Sequence, residues 1–283
     1  MTFFPALQVH GAESDMILAI VDDYSPTAVD ERGPAMRVFF AAAGPRDAAH
    51  TALAAAGVTV ERIEVDDEDW ARRSQQNLAP ITVGRITVYP SSHQSSVASR
   101  QSPVARHPSS ATSHEPPIAI VIAPSMGFGT GHHATTRLCL GALQTIDLSH
   151  ALVLDVGTGS GVLAIAASRL GAARAAGIDS DPDAVRSARE SLALNPDARG
   201  VELDVSNLMT APLPRADVVT ANLTGALLVR AAGRLVESVR PGGTLIVSGL
   251  LAEERETVRA AFAPLPIAAE TQEDGWVCLT FRT

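Results

Sequence analysis

The chain has 283 residues, room for one large or two ordinary domains, and 46% of them are hydrophobic but only 4% aromatic. Such an Ala, Val, Leu and Ile composition suits helices packed on a parallel sheet better than an aromatic-lined sandwich. The 31 acidic and 22 basic residues leave a formal charge of -9, which argues against a broad nucleic-acid footprint, and every basic residue is Arg, which excludes Schiff-base lysines and P-loop nucleotide hydrolysis.

The first residues carry no basic segment before an apolar stretch, and no apolar run reaches the ~18 residues of a spanning helix. A cytoplasmic protein without a membrane partner is expected. Cys139 and Cys278 stand far apart with no C-x-x-C spacing, so neither a disulfide framework nor a metal site is indicated. In chain order, Ala6–His10 reads as a strand, Glu13–Tyr24 as an amphipathic helix, and Thr27–Glu31 and Met36–Phe40 as strands. Arg46–Ala56 reads as an Ala-rich helix stopping at Gly57, and Val58–Val65 as a last strand. This βαββαβ order suggests a small ferredoxin-like α+β domain over residues 1–68.

Residues 69–117 read as a linker. Its Ser91–Pro117 part holds nine Ser, four Pro and three His with no Leu, Ile, Phe or Met, too little apolar surface to offset its conformational entropy. Residues 118–283 then alternate at α/β spacing. Ile118–Ala123 is an apolar run, Thr135–Thr145 a helix, Ala151–Val156 a strand and Val162–Leu170 a helix. Ala175–Asp179 is the next strand, with a helix over Pro182–Leu194. Asp217–Asn222, the helix Ala226–Val239, a Pro241-Gly242-Gly243 break, Thr244–Ser248, a helix from Ala252 and the strand Trp276–Arg282 follow. A doubly wound, mostly parallel sheet is expected.

The sharpest local signal is Asp155-Val156-Gly157-Thr158-Gly159-Ser160-Gly161, a buried strand entering a glycine turn and then a helix. Ligands of open parallel sheets bind beyond the carboxyl ends of the strands, where glycines let them approach the backbone. The next strand ends at Asp179, placed to accept hydrogen bonds from the ribose hydroxyls of an adenosine. Taken alone, the turn fits adenosylmethionine, a dinucleotide, or a tight βα turn beside a helix cap at Asp181 or Asp183. The chain end separates these readings, because Thr244–Ser248 and Trp276–Arg282 look like the sixth strand and antiparallel seventh strand of an adenosylmethionine-dependent methyltransferase. Asp204 and Asn207 could face the adenine or lie in a solvated loop.

With Phe128-Gly129-Thr130-Gly131-x-His133-x-Thr135-Thr136, Gly177-Ile178-Asp179, Ala221-Asn222-Leu223, Asp69-Trp70, Asn77, Pro80, Gly84 and Pro90 in order, the sequence resembles the methyltransferases of ribosomal protein L11, the PrmA type. That resemblance implies a small substrate-recognition domain, a linker and a Rossmann-like seven-stranded domain. It also implies S-adenosyl-L-methionine as cofactor and transfer to lysine or amino-terminal amines of the ribosomal protein. It places Thr136, Gly157, Gly159, Asp179 and Asn222 at the cofactor. Asn222 falls nearest the reacting amine, and His133 either takes a direct role or caps the loop. The family usually carries aromatics where Ser74, Leu78 and Ser92 stand here. Methylation of another protein or a small molecule, and cofactor binding without catalysis, are the competing readings.

Overall fold

The computed structural model describes residues 3–10, 14–21, 24, 26, 28–32, 35–40, 42–66, 79–91, 116–123 and 133–283. The Ser-rich stretch over 92–115, Asp69, Trp70, Ser74, Asn77, Leu78, Ser92 and the Phe128–Gly131 half of the upstream motif lie outside them. The chain divides into two compact units, Met1–Ser74 and Gln75–Thr283.

In the first unit, β1 (Phe3–His10), α1 (Ser14–Val21), β2 (Ala28–Arg32), β3 (Ala35–Phe39), α2 (Ala43–Ala55) and β4 (Thr59–Asp66) succeed one another. Its antiparallel sheet has the order β2-β3-β1-β4, the ferredoxin-like arrangement expected from the element order. Alternate residues of the strands, Leu7 and Val9 of β1 with Met36 and Val38 of β3, face Ile17 and Val21 of α1 and Ala49 and Leu53 of α2. That alternation is what a sheet covered on one side by helices requires.

The second unit holds two sheets. The larger is built from β8 (Leu152–Val156), β9 (Arg174–Asp179), β10 (Val201–Val205), β11 (Ala216–Asn222), β12 (Val239–Leu251), β13 (Ile267–Glu273) and β14 (Trp276–Arg282). Their order is β10-β9-β8-β11-β12-β14-β13, parallel except at β14, which runs antiparallel to both neighbours. Helices α3 (Ala134–Leu143), α4 (Val162–Arg169), α5 (Pro182–Ala193), α6 (Gly225–Ser238) and α7 (Arg255–Ala261) connect or cover the strands, with two apolar clusters flanking the sheet.

The structure departs from three expectations of the sequence. The run at Ile118–Ile122 is not a strand of the large sheet. It is β7 of a three-stranded sheet with β5 (Ile81–Val83) and β6 (Ile86–Pro90), two strands inside the segment read as linker. Thr244–Ser248 is accordingly part of the fifth strand of the large sheet, and Ile267–Glu273, which the sequence reading passed over, is the sixth. The Pro241–Gly243 break does not end an element either: it is a bulge inside β12, where the register against β11 jumps between Ala216↔Val239 and Val218↔Thr244.

On its far side from β6, β7 has side chains where a strand would be. Val121 gives its N–H to Asn195 Oδ1 at 2.9 Å, and its carbonyl accepts from Asn195 Nδ2 at 2.6 Å. Ala123 N–H reaches Ser191 Oγ at 3.1 Å, and Arg169 donates to the Ala119 carbonyl at 3.3 Å. An Asn side chain carries one acceptor and two donors and so reproduces the hydrogen-bonding of a peptide group. Asn195→Ala would leave both polar groups of Val121 buried and unpaired, at a cost of about 2–4 kcal/mol. Urea unfolding followed by circular dichroism should show that loss, and a variant as stable as the parent would mean β7 is held by its pairing with β6 and its apolar face without Asn195.

Candidate functional site at the carboxyl edge of the large sheet

The site begins with a charge in a place that excludes water. β8 is an apolar strand buried on both faces, as a central parallel strand must be, except for Asp155, which is 1% exposed. Its two oxygens accept from different elements: Oδ2 from Thr158 Oγ1 in the glycine turn at 2.7 Å, and Oδ1 from Thr220 Oγ1 on β11 at 2.6 Å. The carboxylate therefore ties the central strand to both the turn that follows it and the neighbouring strand.

The turn is then fastened to β9. Gly157 and Thr158 both donate to the Ile178 carbonyl, at 2.8 and 2.9 Å, and Gly159 N–H donates to Asp179 Oδ2 at 3.1 Å. Asp179 Oδ1 accepts from Asp181 N–H at 3.1 Å, so the carboxylate is held by backbone on both sides and stands half-buried at the strand end. Gly157 sits at φ +72° and a Cβ there would overlap the Leu223 side chain, so only glycine combines this turn with this neighbour. Opposite the turn, a Cβ on Gly177 would meet Thr158 Oγ1 at 2.6 Å and Leu203 at 2.7 Å.

Asn222 ends β11, level with Ser248 of β12, and Leu223 N–H donates to the Ser248 carbonyl at 2.9 Å. Thr136 lies on the first turn of α3. One turn on, Cys139 is packed against Cys278 and near enough to Asp155 to feel its charge, so this face of α3 overlies the same end of the sheet. The Thr136 hydroxyl is buried, and among the described residues it has no hydrogen-bond partner. An orphaned hydroxyl carries a desolvation cost that a ligand oxygen or nitrogen would remove.

His133 is the N-cap of α3. Its Nδ1 lies 2.8 Å from Thr135 Oγ1 and accepts from Thr135 N–H at 3.4 Å, and its ring meets Trp276 edge-on with centroids 4.7 Å apart. Burial, with the nearby Arg137 charge, lowers its pKa below the ordinary imidazole range. Asp181 caps α5 through Asp183 N–H at 2.9 Å, with Pro182 opening the helix. Asp204 lies within β10, paired with Ile178 of β9, and Asn207 lies on the loop that follows the strand. Both are exposed, and Asn207 accepts from Met209 N–H at 2.8 Å in an Asx turn. The sequence reading missed Thr158 and Thr220, because a hydroxyl that supports a buried acid looks like any other Thr. It also missed the hairpin that brings Trp276 to His133, although Asp274-Gly275 is the dipeptide that marks a two-residue turn.

Burial pushes the Asp155 carboxyl up to about 6, against the pull of the two hydroxyls and helped by the charge of Asp179. An unfolded Asp titrates near 3.9. The folded protein therefore holds the extra proton between the two values, and the stabilisation present below roughly pH 4 is lost as the pH rises through about 6. Asp155→Asn cannot ionise, so its stability relative to the parent should rise by about 2 kcal/mol between pH 4 and pH 7. Denaturant midpoints across that range would check this, and a difference that stays flat with pH would contradict the raised pKa.

A model of the family described as ribosomal protein L11 methyltransferase (PrmA) matches residues 41–283. The ribosomal protein L11 methyltransferase of Geobacter sulfurreducens is 43% identical over 221 residues, covering 77% of this chain and 67% of that protein. The one from Deinococcus radiodurans is 35% identical over 268 residues, 90% of each. A crystal structure of the ribosomal protein L11 methylase of Lactobacillus delbrueckii subsp. bulgaricus shares the fold, with a TM-score of 0.58 and 24% identity over 72% of this chain and 97% of that one. Matched over most of its length, with the glycine turn and the strand-end acid in place, this chain belongs to the ribosomal protein L11 methyltransferase (PrmA) family.

Proposed function

We propose that the protein is an S-adenosylmethionine-dependent N-methyltransferase acting on lysine or amino-terminal amines of ribosomal protein L11. The observation that carries this reading is the glycine turn clasped to the end of β9, which sets the Asp179 carboxylate beside the Gly159 backbone at the ligand-binding edge of the sheet. The residues present fit the donor. Asp179 keeps spare lone pairs for ribose hydroxyls, the turn of Gly157 and Gly159 lies beside it without bulky side chains, and the unpartnered Thr136 hydroxyl can bond its methionine portion.

The donor supplies a methyl group on a sulfonium whose sulfur leaves neutral, so the protein has to align an amine and exclude water and does not have to activate a leaving group. Lysine amines are protonated at neutral pH, with a reference pKa of about 10.4. Asn222, through its side-chain oxygen and the adjoining backbone carbonyl, accepts hydrogen bonds from the neutral amine and points its lone pair into the site. His133 is given a different task. With Nδ1 accepting at the helix cap, the neutral ring carries its proton on Nε2, so it presents a donor and holds the end of α3. The first unit, whose sequence holds no G-x-G-x-G turn, supplies the protein substrate's binding energy.

Labelled adenosylmethionine incubated with ribosomal protein L11 should transfer label to that protein, and label that appears only on other components, or nowhere, would sink the assignment. Asp179→Ala should weaken adenosylmethionine binding by about 1.5–3 kcal/mol, the range for a hydrogen bond to a charged group. Calorimetry on the folded variant measures it, and unchanged affinity would remove Asp179 from the ribose. Deleting residues 1–74, a cut that spares β5 and β6, should leave donor affinity nearly intact and abolish transfer to the ribosomal protein. Transfer at the full-length rate would show that recognition lies in the second unit.

A further inference from the structure

The first turn of α3 carries Thr136 and ends on the His133 cap, yet little in the helix itself sets its placement. Its buried residues are small or aliphatic: Ala134, Thr135, Thr136, Leu138, Cys139, Leu140 and Leu143. Apolar packing of this kind attracts without direction, so the directional contacts are what fix the helix ends. Directional contacts sit at its two ends. At the far end Gln144 takes the Arg85 N–H at 2.9 Å and donates to the Val83 carbonyl at 2.9 Å, pinning the helix to the β5–β6 turn. At the near end Arg137 reaches the β13–β14 turn. Its Nε and a terminal nitrogen both lie 2.7 Å from Glu273 Oε1, and the terminal nitrogen lies 3.1 Å from Asp274 Oδ2.

That turn is stiff. Asp274 and Gly275 both have positive φ, +50° and +80°, the pattern of a two-residue turn whose twist matches its strands. Ala252 N–H donates to the Gly275 carbonyl at 2.9 Å. Trp276, paired across the hairpin with Glu273, is the residue that meets the His133 ring.

We propose that Arg137, Glu273 and Asp274 are positioning residues, a latch that holds the first turn of α3 against this hairpin and so keeps Thr136 in place for the methyl donor. The inference rests on the donor-site reading given above. Without the guanidinium, two adjacent carboxylates face the helix unpaired while Gln144 still anchors the other end, so the loosened end is the one at the site. Ion pairs this exposed add little to global stability, typically about 0.2–1 kcal/mol. A displacement of ~1 Å in a positioning group can nonetheless cost orders of magnitude in rate. The latch should therefore be visible in donor use and nearly invisible in melting.

Arg137→Gln in the full-length protein should raise the KM for adenosylmethionine at least about fivefold while moving the melting temperature of the ligand-free protein by no more than ~3 °C. Arg137→Lys should recover most of the affinity. Glu273→Gln combined with Asp274→Asn should reproduce the rise, and adding Arg137→Gln to that pair should bring little further, because the three act as one unit. An unchanged KM, independent additive effects, or a KM that follows the melting temperature alone would overturn the latch. Amide hydrogen exchange over Thr135–Leu138 in the ligand-free protein is a second measure: Arg137→Gln should speed it, and equal rates would also overturn the proposal. If the parent protein binds no adenosylmethionine, the donor-site reading fails, and exchange still decides whether the latch exists.

Discussion

The buried carboxylate of Asp155 is the constraint from which the rest of the site follows. An ionised side chain in the middle of a sheet carries a desolvation cost that only directed donors offset, and here the donors are hydroxyls from two separate elements, Thr158 and Thr220. Satisfying them fixes the path of the glycine turn over β8 and the height of β11 beside it. Once the turn is placed, its N–H groups fall on the Ile178 carbonyl and the Asp179 carboxylate. The ends of three adjacent strands are thereby held in one geometry by a group that never needs to touch a ligand.

Close packing makes that geometry intolerant of larger side chains. Leu223, just past the end of β11, lies against two glycines, Gly157 of the turn and Gly249 of β12, each at positive φ and each without room for a Cβ. A core packed this densely transmits small displacements instead of absorbing them. The strand end bearing Asn222 is therefore coupled mechanically to the turn bearing Gly157 and Gly159. The arrangement favours a pre-formed pocket, which suits a reaction whose main demand is alignment.

Helix α3 is the exception in kind. The turn and Asp179 are built by backbone hydrogen bonds of the sheet, whereas Thr136 and His133 arrive on a helix seated on an apolar surface and tied at its ends by side chains, Gln144 on one turn and Arg137 on another. The candidate site thus combines a floor set by backbone hydrogen bonds with a wall tied down by side chains at its two ends.

The sequence by itself determined those parts whose physics is local. A buried parallel strand must be an apolar run, so β8, β9 and β11 stand out. A left-handed turn beside a close neighbour needs glycine, so the site's floor and Asp179 are legible, and the Asp181-Pro182 cap marks the start of α5. Tertiary structure decided what depends on partners far along the chain. Ile118–Ile122 has an apolar pattern that suits either sheet, and its place in the smaller one follows from pairing with β6 and from Asn195, 74 residues beyond Val121, standing in for a missing strand. β13 is a polar edge strand, mostly exposed, whose one strand neighbour in the sheet is β14, so no period of hydrophobicity announces it. The hydroxyls beneath Asp155 and the acids that hold Arg137 acquire their roles only in the folded chain, because a charge selects its partners by distance in space and not by spacing in sequence.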